Sequence, residues 1–204
     1  MIQQTGVPWV DMDMVCLNYS EILKRDYVFI KEKQMSGGQY VTTSLMKFPA
    51  HSDFGEKLIK ESEKAVGEKK MVEWGVIGPI FFARCVREAN LEHHALDARV
   101  ACQIPWFRAG KFVSRSGQMD DTQFCLHLYT DGWRQEGLYK DAVYPGSSIY
   151  SRLLARHDID ALMAKCHYHV GFYDKYIHAK ICRMIAVLKK MKHQVFSCFK
   201  RRVK

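Results

Sequence analysis

Apolar positions cluster in short runs separated by polar turns, and the runs predict an alternation of strands and helices. Residues 7–17, within "GVPWVDMDMVCL", read as a short strand that carries the acidic residues of Asp-Met-Asp. "YVFIKEK" (27–33) and "YVTTSLMKFP" (40–49) read as strands, and the glycine pair of "QMSGGQ" (34–39) predicts the turn between them. "LNYSEILKRD" (17–26) reads as a turn with one or two helical turns. Ser52 opens a helix with Asp53 and Glu56 in its first turn and an apolar stripe of Leu58, Ile59, Ser62 and Val66. Pro79 suits the first turn of a second helix within 75–91. A strand broken by Pro105 is expected within 94–107, a further strand over 122–130, and a helix over 147–159. From about Tyr173 the chain reads as continuously helical. The alternation predicts an α/β class, with a mixed sheet flanked by helices and a C-terminal basic helix. Residues 1–172 form the expected catalytic domain, and 173–204 a basic amphipathic tail.

Charge changes this picture. The net charge is +9, yet every acidic residue lies at or before Asp174, and residues 175–204 carry ten Lys and Arg with no acid. The body is near neutral and the tail supplies the excess. Seven cysteines are scattered without a CxxC pair, which predicts reduced thiols in a reducing compartment and no bound zinc. No secretory signal or bilayer-spanning run is visible, so a cytoplasmic location is expected.

The candidate chemistry starts at Asp11 and Asp13. On a regular strand, residues i and i+2 share a face, and a buried pair of unpartnered acids would cost several kcal/mol each, so about that much argues against a core position. If the strand loosens into a turn there, both carboxylates converge on one cation, and a hard ion such as Mn²⁺ or Mg²⁺ takes such oxygen ligands. The plain alternative is a solvated strand end.

"WVDMDMVCL" (9–17) resembles the DxD region of sugar-nucleotide-dependent glycosyltransferases, in the group of capsular-polysaccharide and α-1,4-glycosyltransferase-like proteins. "VTTSLMKFPAHSDFGEKLI" (41–59), "WGVIGPIFFARCV" (74–86) and "CLHLYTDGWRQEGLYKDAVYPGSSIYSRL" (125–153) are similar to later segments of that group, in the same order. The resemblance implies a glycosyltransferase-A-like domain whose first strands, which precede the DxD in relatives, are missing. It implies transfer of a sugar from a nucleotide-sugar donor to a glycan acceptor in polysaccharide synthesis. Asp11 and Asp13 would hold the metal and donor diphosphate, with His127 as a further metal ligand or hydrogen-bond donor. Trp9, Gly78, Pro79, Trp133 and Arg134 would contribute to the donor or substrate site, Arg134 facing phosphate. The resemblance names no catalytic base.

Other residues carry bland readings beside sharper ones. His127 on its own is better explained as a structural strand residue, and only the motif resemblance brings the ligand reading level with it, while Cys102 and Cys125 read as small core residues. Trp74 and Trp106 suit either sugar stacking or packing. His93 and His94 read as solvated, and His167 and His169 lack an evident third ligand. In the tail, Ile177, Ile181, Met184, Leu188, Met191, Val195 and Phe199 recur at helical spacing among lysines. That pattern fits an anionic membrane surface, on the inner face of the membrane, or a stripe packed on the body. No nucleic-acid partner is expected, because the body shows no interleaving of basic and aromatic residues. A catalytically inactive remnant or membrane-binding module is the alternative to the enzyme.

Overall fold

The strand–turn–strand expectation at 27–49 is met by an antiparallel pair, the centre of the fold. The computed structural model describes residues 1–67, 77–140 and 142–159. These fall into two compact units: Met1–Arg108 with Met119–Tyr129, and Ala109–Gln118 with the chain from Thr130 onward. The boundary expected at 172/173, the basic tail, Trp74 and His167–His169 lie outside the described residues.

In the first unit the elements run α1 (Ile2–Thr5), β1 (Trp9–Val10), β2 (Met14–Cys16), β3 (Val28–Lys33), β4 (Gln39–Lys47), α2 (Asp53–Gly67), α3 (Pro79–Glu88), β5 (Ala95–Leu96) and β6 (Cys125–His127). One sheet has the order β1-β4-β3-β5, and β2 pairs with β6 in a second. The β1–β4 and β3–β4 pairs are antiparallel, while β3–β5 is parallel, so the sheet is mixed. Gly37 (φ 90°) and Gly38 (φ 77°) turn the chain between β3 and β4. Those left-handed values come without steric cost only to glycine.

The β3–β4 register jumps from Phe29↔Met46 to Ile30↔Thr42, so three residues of β4 bulge out. The bulge lies where β1 joins, with Val10 opposite Leu45 and the Asp11 amide donating to the Ser44 carbonyl at 2.9 Å. The strand expected over 7–17 therefore divides. Its first half joins the four-stranded sheet, its second pairs with β6, and a turn closed by Met14 N–H to Asp11 C=O (3.1 Å) separates them.

Helices α2 and α3 cover the sheet face that carries Phe29. Phe54 of α2 and Phe82 of α3 meet Phe29 with ring centroids at 5.7 and 5.4 Å, and Cys85 and Val86 complete this core. Ser52 caps α2 as expected, its hydroxyl accepting from Gly55 N–H. The predicted stripe of α2 needs correction. Ile59 and Val66 are exposed, and the inward face is set by Phe54, Gly55 and Leu58. Phe54 fixes the phase because its ring is the largest apolar group on the helix. The strand expected within 94–107 reduces to β5, after which Asp97 caps a 3₁₀ turn by accepting from Arg99 N–H.

The second unit contains α4 (Thr130–Glu136) and α5 (Ile149–Arg156). The strand expected over 122–130 keeps only Cys125–His127. Asp120 begins a side-chain-bonded turn with Thr122 and Gln123 before it, and Tyr129 breaks it afterwards with φ 55°. Trp133 is fully enclosed in the second unit, stacked on Phe112 and edge-on to Tyr144 and Tyr150. Ser148 caps α5, near its expected start. The chain is thus a mixed α/β protein with a mixed sheet flanked by helices. No described helix is long and apolar enough to cross a membrane.

Candidate metal centre

Strand register explains why two acids near the amino end meet a histidine more than a hundred residues later. Met14 pairs with His127 in the β2–β6 ladder, and Leu128 N–H donates to the Asp13 carbonyl at 2.9 Å. Asp11 is held to β4 and Asp13 to β6, and the turn between them removes the strict alternation of a strand. Both carboxylates thereby face the same imidazole. His127 Nε2 lies 3.1 Å from Asp13 Oδ1 and 3.8 Å from Asp11 Oδ2. One ligand atom from each of the three residues lies within 4.8 Å of the others. Asp11 and Asp13 remain partly exposed, whereas the His127 side chain is only 9% exposed. Met12, at the tip of the turn, points fully into solvent.

Neighbouring groups set the geometry. Trp9 Nε1 donates to Asp11 Oδ1 at 3.0 Å, which aims the second oxygen of that carboxylate towards His127. Tyr129 lies ring against ring on His127, with centroids 3.8 Å apart. Its hydroxyl donates to the buried Glu32 at 3.1 Å, and the Tyr40 hydroxyl donates to the other oxygen of Glu32. The left-handed backbone of Tyr129 costs about 1–2 kcal/mol, an expense tolerated where surrounding contacts fix the residue. Burial pushes His127 down, but Asp13 first and Cys102 after it outweigh that and hold its pKa up at about 9. Burial also raises the Tyr129 and Tyr40 hydroxyls, with Glu32 adding to both.

Two carboxylates and one imidazole suit a divalent cation, and the donor set fits Mn²⁺ better than Mg²⁺, which prefers oxygen throughout. A proton and a cation compete for the same ring nitrogen. The solvated-strand-end alternative for the two acids does not describe this geometry, because Asp13 is bonded to a buried partner.

The other anticipated residues are distributed more widely. Trp9 joins the group through Asp11. Gly78 and Pro79 begin α3, which packs on the Phe29 side of the sheet, whereas Glu32 has the opposite strand parity. Trp133 and Arg134 belong to the second unit, where Trp133 is a core residue and Arg134 pairs with Asp131 at 2.8 Å. Cys102 and Cys125 are buried, and burial pushes the Cys125 thiol up to about 12. His94 is not simply solvated; it stacks on Tyr27 at 5.0 Å. Glu32, Tyr40, Cys102 and Tyr129 went unpredicted. Glu32 had a readable signal, since it follows Val28 and Ile30 at the same strand parity and so continues an inward apolar row with an acid.

No protein-family model, no curated protein and no solved structure matches the chain.

Proposed function

We propose that this protein is a divalent-cation-dependent glycosyltransferase of glycosyltransferase-A type, transferring a sugar from a nucleotide-sugar to a glycan acceptor in polysaccharide synthesis. The observation that carries the reading is the convergence of Asp11, Asp13 and His127 at a turn between two short strands. The ordered motif resemblance supplies the reaction class. When bound, a cation such as Mn²⁺ neutralises charge on the departing nucleoside diphosphate. Asp11 and Asp13 supply anionic ligands on a solvent-facing turn that a diphosphate can approach. His127, fixed by Tyr129 behind it, adds a third ligand whose position is set by β6. Trp9 keeps Asp11 oriented and presents a half-exposed ring beside the acids. In this reading, the basic tail attaches the protein to the inner face of an anionic membrane.

Calorimetric titration of the full chain with a nucleoside diphosphate tests the reading. Binding that requires Mn²⁺ and is lost in Asp13→Ala is the expected result. Binding that is absent, or equal with and without Mn²⁺, contradicts it and favours a catalytically inactive remnant.

A further inference from the structure

The two ring nitrogens of His127 face different chemistry. Nε2 is directed outward to Asp13, while Nδ1 is buried without a hydrogen bond of normal geometry, and the Cys102 thiol is a neighbour of the ring. An unpaired ring nitrogen in a dry environment costs about 1–3 kcal/mol, so the position calls for an explanation. On the inner side, one ligand atom each from Glu32, Cys102 and His127 lie within 4.8 Å of one another, and all three residues are buried. Ligands around a tetrahedral zinc ion stand roughly 3.3–3.8 Å apart, so small side-chain rotations close this group around an ion.

We infer that Glu32, Cys102 and His127 Nδ1 form a second, inner site for a thiophilic divalent cation of the zinc class, which shares the His127 ring with the outer carboxylate site. The donor set of one carboxylate, one thiolate and one imidazole is that of a borderline-soft metal rather than Mg²⁺ or Mn²⁺. Its surroundings resemble an outer ligand shell. Tyr40 and Tyr129 donate to Glu32, and Ser44 Oγ lies 3.8 Å from Cys102 Sγ. With Nδ1 on the ion, Nε2 carries the ring proton and donates it to Asp13, the arrangement in which a carboxylate orients a metal-bound histidine. Binding releases to solvent the Cys102 thiol proton and the proton that Nδ1 carries when the ring is imidazolium, and no electron transfer is involved. The sequence hides this site because its ligands come from β3, β6 and the segment between β5 and β6. Because both sites draw on one imidazole, an inner ion leaves the outer cation with Asp11 and Asp13 alone, a consequence that rests on the glycosyl-transfer reading.

The test is a Co²⁺ titration of the full chain, followed by thiolate-to-cobalt charge-transfer absorption, with Zn²⁺ displacing the Co²⁺. The expected result is a band at one equivalent that disappears in Cys102→Ser and persists in Cys16→Ser and Asp11→Ala. Glu32→Gln is expected to weaken Co²⁺ at least tenfold. Absence of the band, or its survival in Cys102→Ser, overturns the proposal. Should Cys102→Ser fail to fold by circular dichroism, Glu32→Gln decides, and unchanged Co²⁺ affinity there overturns it equally. Persistence in Asp11→Ala separates this site from the outer one, so failure of the glycosyltransferase reading leaves the result intact.

Discussion

Trp9 is half exposed, yet its indole nitrogen makes a specific bond to Asp11, so its contribution is positional rather than hydrophobic. Trp9→Phe keeps a ring and removes the donor. Mn²⁺ affinity is expected to fall about tenfold, as for other partners of metal ligands, while the urea midpoint stays unchanged. Equal affinity in both chains, measured by calorimetry, would remove Trp9 from the site. The pairing of Asp11 with Asp13 was legible in the sequence because the acidic doublet interrupts an apolar run. His127 became a candidate only through motif resemblance, and Cys102 not at all, since neither position reveals which distant strand it will face.

At the scale of elements, β3, β4, α2 and α3 were readable because the Gly37–Gly38 turn, the capping Ser52 and Pro79 mark their ends. The short elements were not. The β6 strand is cut to three residues by a side-chain turn at Asp120 and by Tyr129, and α4 begins where the apolar pattern still favours a strand. Gly55 shows how tightly the helices are placed. A Cβ there would stand 1.8 Å from Gln3 Oε1 and 2.8 Å from the Phe48 ring. Gln3 is flexible at that end, but Phe48 is core, so Gly55→Ala is expected to cost about 1–3 kcal/mol in urea unfolding. Asp97 ties β4 to the turn after β5. It accepts from Arg99 N–H and from Gln39 Nε2, both at 2.9 Å, and these bonds, the backbone one first, lower its pKa to about 2. A lowered folded pKa contributes stability above the ordinary value near 3.8 that is lost as pH falls towards 2. Asp97→Ala should therefore destabilise by about 1 kcal/mol at neutral pH, through loss of the cap, and the difference from the parent should shrink in acid. A difference that is constant down to about pH 2 would contradict that assignment.

For the whole molecule, charge segregation is the dominant feature. The last thirty residues hold ten Lys and Arg without an acid, on a chain otherwise close to neutral. Each basic residue near an anionic surface contributes about 1 kcal/mol, so engagement of half of them would hold the protein there. Removing residues 175–204 should abolish co-sedimentation with phosphatidylserine vesicles at physiological salt, and unchanged sedimentation would assign those charges to another role. Fold class was legible at this scale from alternating elements. The division into two units was not, because residues 109–118 fold with the later part of the chain while 119–129 return to the first unit.

The central claim is that Asp11, Asp13 and His127 bind one divalent ion together. Electron paramagnetic resonance of Mn²⁺ added to the ¹⁵N-histidine-labelled chain measures this directly. The account predicts one bound ion with a coupled histidine nitrogen, the coupling absent in His127→Ala and binding weakened at least a hundredfold in Asp13→Ala. Mn²⁺ bound equally well by all three chains, or without any nitrogen coupling in the parent, would contradict it.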